Sequence, residues 1–354
     1  MKKIALICNY KLIPERVGGM DYFFWEFDAK CKANNIAVDW FFPNISSHGN
    51  YDFMTIYSPD NQSLENYFSE NFSTENYTHI ITHFVELCTP FFKKIKKSTQ
   101  AQIIAVDHNA RPIQGYPLKK KINKKLKGFL FSKFIDVFVG VSQYSVNMLV
   151  NDFGNQISNK TKIVYNGINF EKFEKKESDF SFQNKFLVVS HLTHGKGIVK
   201  LLVAIKSIVD NGFKNFSITI YGEGNLAQTI KQKIIEYQLN EIITLKGNVA
   251  NLNSIYKKYD YLIQPSEAET FSFSIIESLY CQVPVIVSKQ ANVLDLIVNG
   301  KNGYIFDIQK DNELKSILEN VIENKKQLIF ENKYFDVSAF SLKKMVENHF
   351  NLLQ

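Results

Sequence analysis

The sequence predicts an α/β protein built from two doubly wound, Rossmann-like domains, and three observations predict it. Apolar runs of strand length alternate with helix-length segments through nearly the whole chain, the pattern of parallel sheets covered by helices on both faces. The alternation lapses in a polar, aperiodic stretch after Asn169 and restarts at Phe186. The length, 354 residues, suits two domains, each able to bury a core of its own.

The elements follow in order. Ile4 to Cys8 reads as the first buried strand, and Gly18-Gly19 precedes a helix from Met20 to about Asn34. Val38–Phe42, His79–Ile81, Ile103–Val106 and Val137–Val141 read as further strands. A helix starts near Gln143, and Lys162–Tyr165 closes the first half. In the second half Phe186–Ser190, Ser217–Tyr221, Ile242–Leu245, Tyr261–Gln264 and Val285–Val287 read as strands with helices between. The boundaries expected are 1–169 for the first domain, 170–184 for a linker, 185–334 for the second domain and 335–354 for a C-terminal helix. Ligands of such sheets bind at the carboxyl ends of the strands, so two halves imply one cleft between them.

Composition narrows the class. After Met1-Lys2-Lys3 the apolar run is only five residues, so no secretory leader is expected. No run approaches the roughly 18 apolar residues of a membrane span. The four cysteines, Cys8, Cys31, Cys88 and Cys281, form no C-x-x-C pair, which argues against a metal site or disulfide framework and for a cytoplasmic setting. The formal charge of +7 is unevenly spread. Lys93, Lys94, Lys96 and Lys97 form one cluster, and Lys119, Lys120, Lys121, Lys124, Lys125, Lys127 and Lys133 a denser one. These are either solvated helix faces or a surface for an anionic membrane or other polyanion.

The chemistry concentrates in Pro265-Ser266-Glu267-Ala268-Glu269-Thr270-Phe271-Ser272-Phe273-Ser274-Ile275-Ile276-Glu277-Ser278. The segment follows a buried strand and opens a helix. The amides of Ser272, Phe273 and Ser274 form a helix N-terminus suited to phosphate. Glu269 in the loop and Glu277 in the helix flank it, which fits a ligand rich in hydroxyls; by themselves the two carboxylates read equally well as helix caps.

This segment resembles the Glu-x7-Glu hallmark of family 4 glycosyltransferases. The resemblance continues through Cys281-Gln282-Val283-Pro284-Val285-Ile286 and Asn299-Gly300-Lys301-Asn302-Gly303-Tyr304, and back through Leu245-Lys246-Gly247-Asn248-Val249 and Tyr221-Gly222-Glu223-Gly224. It covers most of residues 186 to 307. It implies the GT-B fold, two Rossmann-like domains facing a central cleft, with the nucleotide sugar on the second domain, the acceptor on the first, and the last helix crossing back to the first.

Site residues follow from the same resemblance. In Val189-Ser190-His191-Leu192-Thr193-His194-Gly195-Lys196-Gly197, Lys196 matches the lysine that meets the donor diphosphate, whereas His191 stands where an arginine is usual. An imidazole stabilises charge less than a guanidinium does. Thr270 and Ser272 replace the glycines usual around Phe271. Glu269 is expected on the sugar and Glu277 on the ribose. Gly222, Asn248, Val249, Phe271, Ser272 and Phe273 complete the donor set on the second domain. On the first domain, Gly18 and Gly19 allow close approach of a ligand and leave a helix N-terminus open to an anion. The absence of G-x-G-x-x-G there counts against a nicotinamide enzyme. His108, in Asp107-His108-Asn109, is expected beside the reacting sugar, with Arg111 a candidate for acceptor phosphate. Asn166-Gly167-Ile168-Asn169 resembles the turn entering the linker.

The function expected is glycosyl transfer with retention, from a nucleoside diphosphate sugar to a glycan or polyprenyl-linked acceptor, in bacterial surface polysaccharide assembly. Glu269, His108 and Lys196 are the catalytic candidates. No cofactor or obligatory metal is expected, because no Asp-x-Asp is evident and protein cations answer the diphosphate; nucleic acid is not an expected partner. The rivals are a sugar-nucleotide epimerase of similar fold and a non-enzymatic polyanion-binding protein. Leu118, Ile122, Leu126, Phe129 and Leu130 fall on one helical face among the lysines, which suits a helix lying on a membrane, with Lys120, Lys121, Lys124 and Lys125 toward the lipid. The competing reading packs that apolar face on the first domain.

Overall fold

The computed structural model describes residues 2–112, 114–177, 181–249, 251–291, 296–325, 328, 330 and 336–354. The chain divides into two compact units. One holds Met1–Ala110, Gly115–Gly167 and Ala339–Gln354; the other holds Arg111–Gln114 and Ile168–Ser338.

The first unit is built on a seven-stranded sheet. Its strands are β1 (Lys2–Cys8), β2 (Ile36–Phe41), β3 (Thr55–Tyr57), β4 (His79–His83), β5 (Gln102–Asp107), β6 (Val137–Gly140) and β7 (Thr161–Ile163), in the order β3-β2-β1-β4-β5-β6-β7. Every pairing is parallel. β4 and β6 are buried along their whole length, as expected of strands covered on both faces. Helices α1 (Gly19–Ala33), α2 (Leu64–Asn71), α3 (Pro90–Ser98), α4 (Leu118–Phe131) and α5 (Gln143–Phe153) connect them. Phe41, Phe68, Phe92 and Phe138 anchor the core on one face of the sheet. The sequence reading missed β3 and α2, and had α3 only as one reading of a lysine cluster, without bounds. β3 has three residues, too few to display a period, and α3 reads mainly as lysines.

The second unit has a six-stranded parallel sheet in the order β10-β9-β8-β11-β12-β13. Its strands are β8 (Lys185–Val189), β9 (Ser217–Tyr221), β10 (Ile243–Gly247), β11 (Tyr261–Gln264), β12 (Val285–Ser288) and β13 (Gly303–Phe306), with α6 (Ile198–Asp210), α7 (Ala227–Glu236), α8 (Phe273–Tyr280) and α9 (Asp311–Ile322). β13 was not read as a strand; its first two residues entered only as the end of the motif Asn299–Tyr304. Residues expected to form a loose linker are docked on this unit where described. Phe170 stacks on Tyr280 with centroids 4.5 Å apart, Asn253 donates to the Lys172 carbonyl, and Lys176 pairs with Asp260.

The last helix, α10 (Leu342–Asn351), packs on α1 within the first unit. Ser341 caps it by accepting from the Lys344 amide. Gly167 lies so close that an added Cβ would sit 2.6 Å from the Leu342 Cα. The expected start at Phe335 lies outside the described residues; among them, regular α-helix begins at Leu342. No helix among the described residues is long and apolar enough to cross a membrane.

Candidate functional site

Both sheets reverse their strand order beside their first strand. β1 is flanked by β2 and β4, and β8 by β9 and β11. Loops leaving the carboxyl ends of such neighbouring strands diverge to opposite faces and open a crevice. In the second unit those are the loops after β8 and β11, which carry Lys196 and Glu269.

The two loops are locked together. The Glu267 amide donates to the Gly195 carbonyl at 2.8 Å. Gly197 has φ +67, and a Cβ there would lie 1.9 Å from the Pro265 carbonyl oxygen, so only glycine lets the backbones meet. The result places the Lys196 ammonium 2.6 Å from Glu269 Oε1. The same oxygen accepts from Ser266 Oγ at 2.9 Å and Gln264 Nε2 at 3.2 Å. Gln264 is held in turn by Ser274 Oγ, which donates to its Oε1. Glu269 is therefore a buried carboxylate in a polar network, fixed in position by side chains of β11, its loop and α8.

α8 begins one residue after Ser272, whose side chain does not cap the helix, and its first turn contains no acidic residue. This end presents backbone amides with no acidic side chain in its own first turn, which favours an anion. Phe271 is buried and meets Phe273 edge to face at 5.0 Å, fixing the entry to the helix. Further along α8, Glu277 Oε2 accepts from Tyr256 Oη at 2.5 Å. Burial pushes the Glu277 carboxyl up to about 6, against the downward pull of that hydrogen bond. Tyr256 is fully buried, and burial together with Glu277 raises its phenol. The sequence reading did not single out Tyr256; nothing in its surroundings distinguishes it from a core tyrosine.

Gly222, with φ +131, brings the β9 loop to the β8 loop: a Cβ would lie 1.9 Å from the Ser190 carbonyl oxygen. Asn248 Nδ2 donates to Glu223 at 3.3 Å on an exposed corner, and Val249 is half-buried next to it in sequence. His191 is exposed. A depression of about 540 Å³ lined by Tyr304, Lys310, Asn312 and Glu313 shares none of these residues.

In the first unit, His108 follows β5 and His83 ends β4, the strand at the order reversal. His83 Nδ1 and His108 Nε2 are 3.0 Å apart. His108 stacks on Phe84 at 4.2 Å, and His83 stacks on His349 of α10 at 5.5 Å. Burial, with His349 nearby, holds His108 down to about 3. Burial holds His349 to about 4, and burial with both neighbouring imidazoles holds His83 well below its ordinary value. All three rings are neutral at pH 7. His83 Nε2 has no hydrogen-bond partner among the described residues. A bare ring nitrogen is the cheaper orphan than a buried N–H, so the network assigns the His83 proton to Nδ1. His83 then donates to His108 Nε2, and His108 carries its own proton on Nδ1. His83 and His349 were not anticipated, because they meet His108 only through sheet order and α10 docking.

Gly18 and Gly19 require correction as an open anion seat. The Gly18 amide donates to Asp21 Oδ2 at 2.8 Å, and the same buried carboxylate accepts from Tyr10 at 3.0 Å and Tyr51 at 2.6 Å. A carboxylate already occupies that helix end, and it opposes an incoming phosphate. The space beside the Gly18 Cα is nonetheless open, with nothing within 4 Å of an added Cβ. Arg111 is buried and groups with the second unit. Among the described residues no three or more His, Cys, Asp or Glu side chains gather as a metal site would.

Residues 169–333, just under half of the chain, match the family model for glycosyl transferases group 1. The expected family 4 is thereby corrected: the matching model is group 1. The motifs that suggested family 4 lie within the span that the group 1 model matches, or within a few residues of it. An uncharacterized glycosyltransferase of Methanocaldococcus jannaschii is 27% identical over 208 residues, 57% of this chain and 55% of that protein. A Campylobacter jejuni α-1,4-N-acetyl-D-galactosaminyltransferase, named for a diphospho-undecaprenol-linked saccharide, is 28% identical over 166 residues, 47% of this chain and 46% of its own. The match thus spans about half the length of these two relatives. Among solved structures, Anabaena HepE in complex with UDP superposes with a TM-score of 0.75 at 17% identity, covering 100% of this chain and 99% of that one. The likeness establishes the fold as GT-B, with two Rossmann-like sheets.

Proposed function

We propose that this chain is a cytoplasmic, retaining glycosyltransferase that moves a sugar from a nucleoside diphosphate donor to a glycan or polyprenyl-linked acceptor in bacterial surface polysaccharide assembly. The observation that carries the reading is the pairing of Lys196 with Glu269 at the strand-order reversal of the second sheet, beside the open N-terminus of α8.

In the reaction, the bond from the anomeric carbon to the diphosphate breaks, and its electron pair leaves with the diphosphate. The acceptor oxygen bonds to the same face of that carbon, and its proton passes to the departing diphosphate oxygen. Lys196 and the α8 amides stabilise the leaving charge, each such donor being worth about 2.7–4 kcal/mol of barrier. With those cations and dipoles in place, no metal is required. His191 adds a ring donor where an arginine would add a fixed charge. Glu269, held by Ser266 and Gln264, orients sugar hydroxyls, and Glu277 holds the ribose. Gly222, Asn248, Val249, Phe271, Ser272 and Phe273 line the donor on this unit. His108 is the first unit's contribution to the sugar, as a neutral hydrogen-bonding ring, and Gly18 and Gly19 leave room for the ligand. No covalent nucleophile is assigned.

The test is a thermal-shift panel of nucleoside diphosphates, starting with UDP because HepE was solved with it. A ligand at a hundredfold excess over its dissociation constant adds about 2.7 kcal/mol to apparent stability. The hit is then followed as its sugar conjugate with and without acceptor. Transfer that needs acceptor supports the proposal. A donor sugar changed without acceptor makes the protein an epimerase, and no shift with any nucleotide overturns both readings.

A further inference from the structure

We infer that α4 is a membrane-docking helix whose exposed apolar stripe inserts among anionic lipids. The inference stands on the first unit alone and does not depend on which sugar or acceptor is used.

α4 is mounted with its apolar face outward. Its buried residue is Gly128, where a Cβ would lie 2.0 Å from the Phe153 carbonyl oxygen, so the backbones of α4 and the end of α5 touch there. Lys124 and Lys127 share that inward side. Lys124 pairs with Asp152 at 3.0 Å with only 19% of its side chain exposed, and Lys127 pairs with Glu86 at 2.6 Å. At 100° per residue, the stripe of Leu118, Ile122, Leu126, Phe129 and Leu130 centres on the opposite side of the helix. Their exposures are 73%, 59%, 53%, 76% and 44%. A helix of a soluble protein ordinarily turns such a stripe into the core. Here five large apolar side chains face water in one row, the mark of an interaction surface.

Charge selects the occupant. Lys119, Lys125 and Lys133 are exposed beside the stripe, Lys120 and Lys121 are exposed further round the helix, and α3, which packs against α4, adds exposed Lys93, Lys94 and Lys97. No acidic residue occurs between Arg111 and Ile135. A second copy would bring the same lysines against these, in a chain of net charge +7, and would be repelled. An anionic lipid surface answers both features at once, taking the stripe below the headgroups and the ammonium groups at their level. Lys124, expected from sequence to face lipid, is instead part of the mounting; Lys96 of α3 is also engaged by the protein, donating to Asp136 at 2.7 Å and to the Ala101 carbonyl.

The full chain is tested by flotation with vesicles of phosphatidylglycerol and phosphatidylcholine, and with phosphatidylcholine alone. The wild type floats with the anionic vesicles, less at high salt but not to zero, because insertion persists when charge is screened. A variant with Ile122, Leu126 and Phe129 changed to Ser, all exposed positions that leave the core intact, loses bound fraction about tenfold or more. Lys119→Gln, Lys120→Gln and Lys125→Gln together abolish the preference for anionic lipid. Phe129→Trp reports insertion through quenching by lipids brominated in the acyl chains. Unchanged flotation of the Ser variant, failure of the wild type to float, or no quenching of the Trp overturns the inference. So does light scattering that shows a dimer dissolved by the Ser substitutions, since the stripe would then join two copies.

Discussion

Lys196 Nζ lies 2.6 Å from Glu269 Oε1, joining residues 73 positions apart in the chain. The two were expected to address different parts of a donor, the diphosphate and the sugar. Their contact puts both in one polar cluster; under the proposed function, Glu269 holds the lysine for the leaving phosphate. Lys196→Ala should therefore lower turnover by about two to three powers of ten. Ser266 and Gln264 still satisfy Glu269 in that variant, so a circular dichroism melt should remain cooperative. Steady-state rates equal to those of the unaltered protein would place the diphosphate elsewhere.

Glu277 supplies a pH dependence with a definite sign. Its carboxyl is held near 6 against an ordinary 4.5. Between those values the folded chain binds more protons at this site than the unfolded chain, so its contribution to stability falls as pH rises, by about 2 kcal/mol at most. Glu277→Gln should flatten that part of the stability profile and leave the protein as stable or more so at pH 7. Nucleotide affinity should move the other way. The carboxylate that accepts from ribose hydroxyls forms above pH 6, so affinity by calorimetry should rise through that value and lose the trend in the Gln variant. Equal affinity of both proteins at pH 7.5 would remove Glu277 from the ribose site.

His83 lies within hydrogen-bond distance of His108. If it fixes the tautomer and angle of that ring, His83→Gln should reduce kcat, by up to about a hundredfold for a small displacement, while leaving nucleoside diphosphate affinity unchanged. A parallel loss of affinity and thermal stability would instead mark His83 as a packing residue.

Gly197 lets the loops after β8 and β11 meet. Gly197→Ala would place a Cβ 1.9 Å from the Pro265 carbonyl oxygen at a φ of +67. The cost should be about 1–3 kcal/mol, seen as a lower midpoint in urea, together with weaker nucleotide binding as Lys196 moves from Glu269. A variant with native midpoint would mean that the two loops separate without penalty.

Transfer should survive EDTA. Complete loss that Mg²⁺ or Mn²⁺ restores would show that Lys196 and the α8 amides do not suffice for the leaving diphosphate.

The alternating pattern and its lapse near Asn169 were enough to establish two doubly wound halves, because buried parallel strands must be apolar runs whatever surrounds them. The places of Lys196, Glu269 and Glu277 after β8, after β11 and in α8 were legible for a related reason: a strand, a short loop and a helix start are local in sequence. Short elements such as β3 were not legible, since three residues show no period. Nor were His83, Tyr256 and Asp21, whose partners His108, Glu277 and Gly18 reach them through sheet order, core packing and the first turn of α1. The numbered family was misread: the model that matches residues 169–333 is group 1. The clearest division falls on α4. Periodicity alone determined that Leu118, Ile122, Leu126, Phe129 and Leu130 share a face. Only the tertiary structure decided that the face points outward, because Gly128 lies against the Phe153 carbonyl and Lys124 and Lys127 reach inward to Asp152 and Glu86. A helical period gives the angle between side chains, and the close contact of two backbones sets which of them meets the core.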